Sequence, residues 1–178
     1  MIVWLNGNFG AGKTTTARLL EDALPARVFD AEHIGYLLRG IIGDLPHHDF
    51  KEWAPWRGLT VETARQVLDY AGGTLVIPQS VLQRDYWTEL MDGFTGHGIP
   101  VHAFTLHTDA DTHRHRVEHD TDEPTARQWR LDHQPAYETA LKEWMSDATH
   151  VVDTTHRTPA QVAAHITTQL HQGKPATA

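Results

Sequence analysis

One stretch of eight residues limits this chain more than any other part of it: residues 7–14 read Gly7-Asn8-Phe9-Gly10-Ala11-Gly12-Lys13-Thr14, a G-x-x-x-x-G-K-T spacing. The apolar run Ile2 to Leu5 precedes it and ends at Asn6-Gly7, so a buried strand is expected there. Lys13 to Leu24 has helical spacing and stops at Pro25. Strand, glycine-rich loop and helix in that order form a phosphate cradle. Gly7, Gly10 and Gly12 let the backbone N–H groups turn inward toward phosphate oxygens. The helix start adds the positive end of its dipole. In this reading the Lys13 ammonium reaches the β- and γ-phosphates, the Thr14 hydroxyl ligates Mg²⁺, and Ala11 and Thr15 complete the nucleotide contacts. The chain has no N-K-x-D guanine motif, so ATP with Mg²⁺ is the expected pair.

The rest of the chain repeats the alternation. Arg27 to Asp30 reads as a second strand, and Glu32 to Ile42 as a helix with Ile34, Leu37, Leu38 and Ile41 on one face. Residues 43–58 mix Gly, Pro and aromatics and read as an irregular excursion, after which Thr60 is expected to cap a helix ending at Gly72-Gly73. Thr74 to Pro78 is a third strand, residues 83–97 a helix closed by Gly98, and Pro100 to Leu106 a fourth strand. Residues 109–146 are polar, rich in Arg and His, and read as helical with breaks at Pro124 and Pro135. His150 to Asp153 is a fifth strand; Thr158-Pro-Ala-Gln161 is a capping box opening a last helix to about Leu170. Five strands alternating with helices specify an α/β domain with a parallel sheet, here residues 1–172, with 173–178 as a flexible tail.

Composition excludes several function classes. Fifteen Lys and Arg against 23 Asp and Glu give a net charge of −8, which argues against a general nucleic-acid binder. The absence of cysteine removes disulfides, thiol catalysis and cysteine-ligated metals. No apolar run approaches the ~20 residues of a membrane helix, and Met1-Ile-Val-Trp lacks a basic leader, so a cytoplasmic protein without membrane insertion is expected.

Phosphoryl transfer needs an acceptor hydroxyl in line and often a base for its proton. Asp30 lies at the carboxyl end of the second strand, where ligands gather in such sheets. It either faces the acceptor or only caps the next helix; Glu32 reads as a first-turn acid favouring the helix dipole. After the third strand, where phosphate-loop enzymes usually carry an acid, stand Pro78-Gln79-Ser80; Gln79 could hold a magnesium-bound water. Phe50, Trp53, Trp56 and Arg57 suit a flat or sugar-containing ligand, or else form a satellite core under a long loop. Arg39 is either an acceptor contact or a solvated charge. Asp153 and Thr154, after the last strand, either wrap the nucleobase or make a plain turn.

Residues 109–135 read as a lid. Of Arg114, Arg116, Arg127 and Arg130, Arg116 and then Arg130 are the best candidates to stabilise the transferring phosphoryl group; the alternative is a solvated helix pair. His115 and His119 share a helix face, but the adjacent Arg114 and Arg116 repel a cation.

With these residues in view, the chain resembles the tunicamycin-resistance family of small P-loop proteins. The likeness rests on Ile2 to Thr14, on Asp30-Ala-Glu-His-Ile-Gly-Tyr-Leu-Leu-Arg39, on Asp49-Phe50 with Trp56-Arg57, on Leu75 to Pro78 and on His102 to Leu106. It implies the three-layer fold of nucleoside and shikimate kinases, strand order 2-3-1-4-5, and a role against nucleoside antibiotics. The related chloramphenicol phosphotransferases imply a catalytic Asp at Asp30. Two departures stand out: Glu118 and Asp120 follow Arg116 where the family pattern has a second arginine, and no basic amphipathic C-terminal extension is present.

The resulting expectation is an ATP- and Mg²⁺-dependent phosphotransferase acting on a hydroxyl of a small natural product, with a nucleoside antibiotic of the tunicamycin type as acceptor. Nucleotide-dependent sequestration of the drug, or a metabolite kinase, are the alternatives.

Overall fold

Two-sided burial selects the central strand. All six residues of β1 (Ile2–Gly7) are buried, and their alternation sends Ile2 and Trp4 into one core and Val3 and Leu5 into another. The computed structural model describes residues 1–121 and 124–173. Around β1 lie β2 (Ala26–Val28), β3 (Thr74–Pro78), β4 (Val101–His107) and β5 (His150–Asp153), all parallel, in the order β2-β3-β1-β4-β5. Leu5 pairs with Pro78 on one side, and Gly7 with Leu106 on the other.

Helices cover both faces. The core containing Val3, Leu5, Phe104 and Val152 is closed by α1 (Lys13–Ala23) and α9 (Pro159–His171) through Ala17, Leu20, Val162 and Ile166. The core containing Trp4 and Ile77 is closed by α2 (Glu32–Ile42), α3 (Ala54–Ala71), α4 (Arg84–Gly96) and α7 (Gln134–Ala140), which runs on as a π-turn (Leu141–Met145) into α8 (Ser146–Ala148). Trp4 meets the edge of Trp87 at 5.7 Å and donates its Nε1–H to the Gln79 carbonyl at 2.9 Å. Such an aromatic pair adds ~1 kcal/mol beyond burial.

Four local expectations change. The helix expected to begin at Thr60 starts at Ala54, because Pro55 is at home in a first turn and Trp56 anchors it from the core. Thr60 is therefore buried in mid-helix, its hydroxyl on the Trp56 carbonyl at 2.8 Å. β2 stops at Val28, so Asp30 lies two residues beyond it. On α2, Ile34 and Leu38 are buried, whereas Leu37 and Ile41 face solvent, since only one side of the helix has a neighbour. The segment expected as a lid, residues 109–135, holds α5 (Ala110–Glu118), a 3-10 turn (Pro124–Ala126), α6 (Arg127–Asp132) and the start of α7; its second break falls at His133, and Pro135 sits in the first turn of α7. The expected tail beyond Gly173 lies outside the described residues, and among these no helix is long and apolar enough to cross a membrane.

Candidate nucleotide and acceptor site

The phosphate loop hangs between the end of β1 and the start of α1, and its shape depends on left-handed glycines. Gly7 has φ 132°, and Gly12, immediately before α1, has φ 88°. Neighbouring side chains brace it. Asn6 accepts from Gly7 N at 2.9 Å and Val81 N at 3.0 Å and donates to the Val81 carbonyl at 3.0 Å, joining the loop to the segment after β3. Ser80 donates to the Gly7 carbonyl at 2.7 Å. Asn8 accepts from Phe9 N at 2.8 Å and donates to Gln134 of the lid. His113 of α5 is buried and donates its Nε2–H to the Phe9 carbonyl at 2.7 Å; burial, above all, holds its pKa below the ordinary value and keeps it neutral.

Lys13 is 9% exposed. Its ammonium donates to the Asn8 carbonyl at 2.7 Å and more weakly to that of Gly7 at 3.4 Å. Burial pulls its pKa down to about 7; Glu32 opposes the shift, while Lys51 and Arg130 add to it. Three cations from three elements are thus felt at one point. Ala11 is buried in the loop, and Thr14 and Thr15 are exposed at the start of α1.

On the acceptor side, Asp30 is half-buried and its Oδ1 accepts from Glu32 N at 3.0 Å. Glu32, read from sequence as a dipole acid, instead lies within electrostatic reach of Lys13 and accepts from the Tyr36 hydroxyl at 3.2 Å. Arg39 is exposed, 5.7 Å from the Tyr36 ring. The excursion is ordered by packing, and two of its expected ligand contacts are corrected. Trp56 is 0% exposed and donates to the Ala31 carbonyl at 2.9 Å, so its ring belongs to the core. Arg57 is buried on Glu89, on the Lys51 carbonyl at 2.6 Å and over the Tyr86 ring at 4.3 Å, so it holds structure. Trp53 is buried against His47, with its indole N–H unpartnered, and half-buried Phe50 packs on Trp56 at 5.4 Å.

Gln79 is 2% exposed, its Oε1 without a hydrogen-bond partner among the described residues and its backbone N–H on the Leu5 carbonyl at 3.1 Å. An orphaned oxygen beside the end of β1, with the Thr14 hydroxyl, fits a magnesium ion carried mainly by phosphate oxygens.

The lid arginines divide. Arg130 lies over the loop, its Cδ 3.9 Å from where a Cβ on Gly10 would stand, and pairs with Asp120. Arg116 is instead engaged by the turn after β5: it donates to the Thr154 carbonyl at 2.6 Å and hydroxyl at 3.1 Å. Thr154 in turn bonds the His107 carbonyl from its N–H at 2.7 Å and hydroxyl at 2.9 Å. Asp153 is exposed, and the hydrogen bond from Thr155 N at 2.9 Å keeps its carboxyl below the usual range. The turn after β5 is therefore stitched to β4 and α5. His115 and His119 stack at 4.1 Å on the outer surface of α5. A separate cavity of about 720 Å³ opens between α4, the start of β4 and α8, away from this chemistry.

The fold and this loop define a P-loop kinase-like domain, and the chain belongs to the family described as AAA domain, whose sequence model matches residues 2–134. The tunicamycin resistance protein of Deinococcus radiodurans is similar over 99% of this chain and 98% of its own, with 28% identity and a TM-score of 0.74. The APS kinase of Mycobacterium tuberculosis, solved with AMPPNP and APS, shares the fold at 18% identity and a TM-score of 0.64, covering 96% of each chain. Shikimate kinase from Aquifex aeolicus does so at 17% identity and 0.59, covering 97% of each. No curated protein matches the sequence.

The residues sequence reasoning missed are Glu32 in its electrostatic role, Lys51, His113 and Asn8. Asn8 and Phe9 occupy the free positions of the loop motif, so their spacing carries no signal. Lys51 is a lone Lys in an aromatic segment.

Proposed function

We propose that this protein is an ATP- and Mg²⁺-dependent phosphotransferase whose acceptor is a hydroxyl of a small natural product, a nucleoside antibiotic of the tunicamycin type. The observation that carries this reading is the buried Lys13 ammonium inside the glycine loop. A buried charge is costly, and an anionic ligand offsets that cost. The acceptor class rests on the likeness to the Deinococcus protein along nearly the whole chain and on the exposed Tyr36 and Arg39 beside Asp30.

In this mechanism the loop amides and Lys13 hold the β- and γ-phosphates, and Arg130 lies over them. Asp153, Thr154 and Arg116 serve the nucleobase side. Thr14, with Gln79 through water, would hold Mg²⁺, which supplies charge neutralisation at the phosphates. The acceptor oxygen bonds to the γ-phosphorus as the bond from that phosphorus to the β–γ bridging oxygen breaks; the hydroxyl proton passes to the Asp30 carboxylate, and ADP leaves with the bridging oxygen.

Incubating the protein with Mg²⁺–ATP and tunicamycin tests this by mass spectrometry: the drug is expected to gain one phosphoryl group, about 80 Da. Unchanged drug that nonetheless binds only with nucleotide would favour sequestration, the reading that a neutral Gln79 in the usual acid position supports. The absence of both binding and transfer would refute the acceptor class.

Nucleotide binding should also take up a proton. Lys13 is about half neutral near pH 7 in the free protein and its charged form is held by phosphates, so the bound pKa lies higher. Calorimetry at about pH 8 in buffers of different ionisation enthalpy is expected to show close to one proton absorbed per ATP, with affinity falling as pH rises above 7. Buffer-independent enthalpy and a flat affinity profile would count against it.

A further inference from the structure

Two other cations are felt at Lys13: Arg130 is placed in the mechanism above, whereas Lys51 comes from the acceptor excursion and has no role in it. Its residue is 4% exposed. Its ammonium lies 5.6 Å from the centre of the Phe9 ring, the same distance as the Lys13 ammonium, and 4.7 Å from the Phe50 ring. The excursion thus delivers a buried positive charge onto a residue of the phosphate loop itself.

The local fold does not need that charge. Asp49 shapes the 3-10 turn (Phe50–Glu52) by accepting from Lys51 N at 3.0 Å, a bond any residue could donate. The Lys51 side chain adds an ion pair to the same carboxylate. The backbone beneath it is fixed from two sides. Arg57 donates to the Lys51 carbonyl at 2.6 Å and to that of Glu52 at 3.2 Å, and is itself tied to Glu89 of α4. Phe50 lies so close to α2 that a Cβ on Gly35 would come within 2.7 Å of its ring. A rigid arm therefore holds an ammonium where Lys13 and Arg130 already converge. Like charges brought together cost free energy, and a polyanion among them offsets it.

We propose that Lys51 is a donor-site residue whose ammonium contacts the γ-phosphate oxygens of the bound triphosphate, from the acceptor side. This rests on the phosphotransferase reading. On binding, the ammonium shares or exchanges its Asp49 carboxylate for phosphate oxygen; no covalent bond changes. Because it enters from the acceptor side, Lys51 would also hold the phosphoryl group in line with the attacking hydroxyl.

The test needs no acceptor. Mg²⁺–AMPPNP and Mg²⁺–ADP are titrated calorimetrically into the full chain and into Lys51→Met. A γ-contact is expected to lower AMPPNP affinity about tenfold or more while ADP affinity stays within about twofold, the loss of one charge-assisted hydrogen bond. Unchanged affinity for both nucleotides, or an equal loss for both, would overturn the assignment. If the unsubstituted protein binds neither nucleotide, the phosphotransferase reading falls and the proposal with it. Should Lys51→Met fail to fold, amine acylation followed by mass spectrometry puts the same question to the unsubstituted chain. AMPPNP is expected to slow modification of Lys51 beyond what ADP does, with exposed Lys142 unchanged as reference. Equal protection by the two nucleotides would refute the γ-contact.

Discussion

Replacing Asp30 by Asn is expected to reduce phosphoryl transfer by about 10²–10⁴-fold, the usual contribution of a positioned general base, with the ATP dissociation constant within about twofold of the original. The substitution suits the question because Asn keeps Oδ1, and with it the 3.0 Å hydrogen bond from Glu32 N that sets the start of α2. The negative charge and the ability to accept a proton are lost, and an amide N–H₂ takes the place of Oδ2. The readouts are product formation by mass spectrometry and nucleotide binding by calorimetry. The pair Lys13→Ala and Asp30→Asn then separates the two halves of the site. The first should lose nucleotide affinity, because the buried ammonium is part of the phosphate cradle, and the second should not. An Asp30→Asn protein with full turnover would leave Asp30 as no more than a cap on α2.

Gly7→Ala is expected to damage the fold itself. At φ 132° an L side chain is strained, and a Cβ would drive into the backbone carbonyl of Leu106 on the paired strand β4, with its carbonyl carbon at 3.2 Å. Neither strand can retreat, since both lie in the middle of the sheet. A loss of about 3 kcal/mol lowers the melting temperature of a domain this size by roughly 10 °C. Gly12→Ala is the internal comparison: its φ is also left-handed, at 88°, but among the described residues nothing beyond its own chain neighbours lies within 4 Å of the added carbon, so roughly 1 kcal/mol is at stake. Thermal unfolding followed by circular dichroism measures both. A Gly7→Ala protein melting with the original chain would show that the sheet can absorb the extra carbon.

Much of this molecule is legible in its residues because two strong signals agree. Apolar runs such as Thr74 to Pro78 are short and continuous, as two-sided burial demands, and the glycine loop fixes which strand is central. Tertiary contacts hid the rest. Pro55 looks like a breaker beside Gly and aromatic neighbours, yet the same ring suits a helix start once Trp56 has a core to enter. Arg116 has the spacing of a lid residue, but which way its guanidinium turns depends on the carbonyl of Thr154, distant in sequence. The burial of Lys51 follows from Phe9 and Phe50 closing over it, which no local pattern announces. Glu32 shows the same limit, since one position serves a helix terminus and a neighbouring ammonium equally well.

The Asn6 side chain binds Gly7 and Val81 into one unit with the central strand, whereas Asp30, Arg39 and Lys51 are carried on segments outside it. Under the proposed function, most of the donor machinery sits on the central-strand unit, and the excursion contributes Lys51 to it from outside. A redesign of residues 30–57 for a new acceptor would therefore have to keep Lys51, together with Trp56 and Arg57, which hold the segment in place.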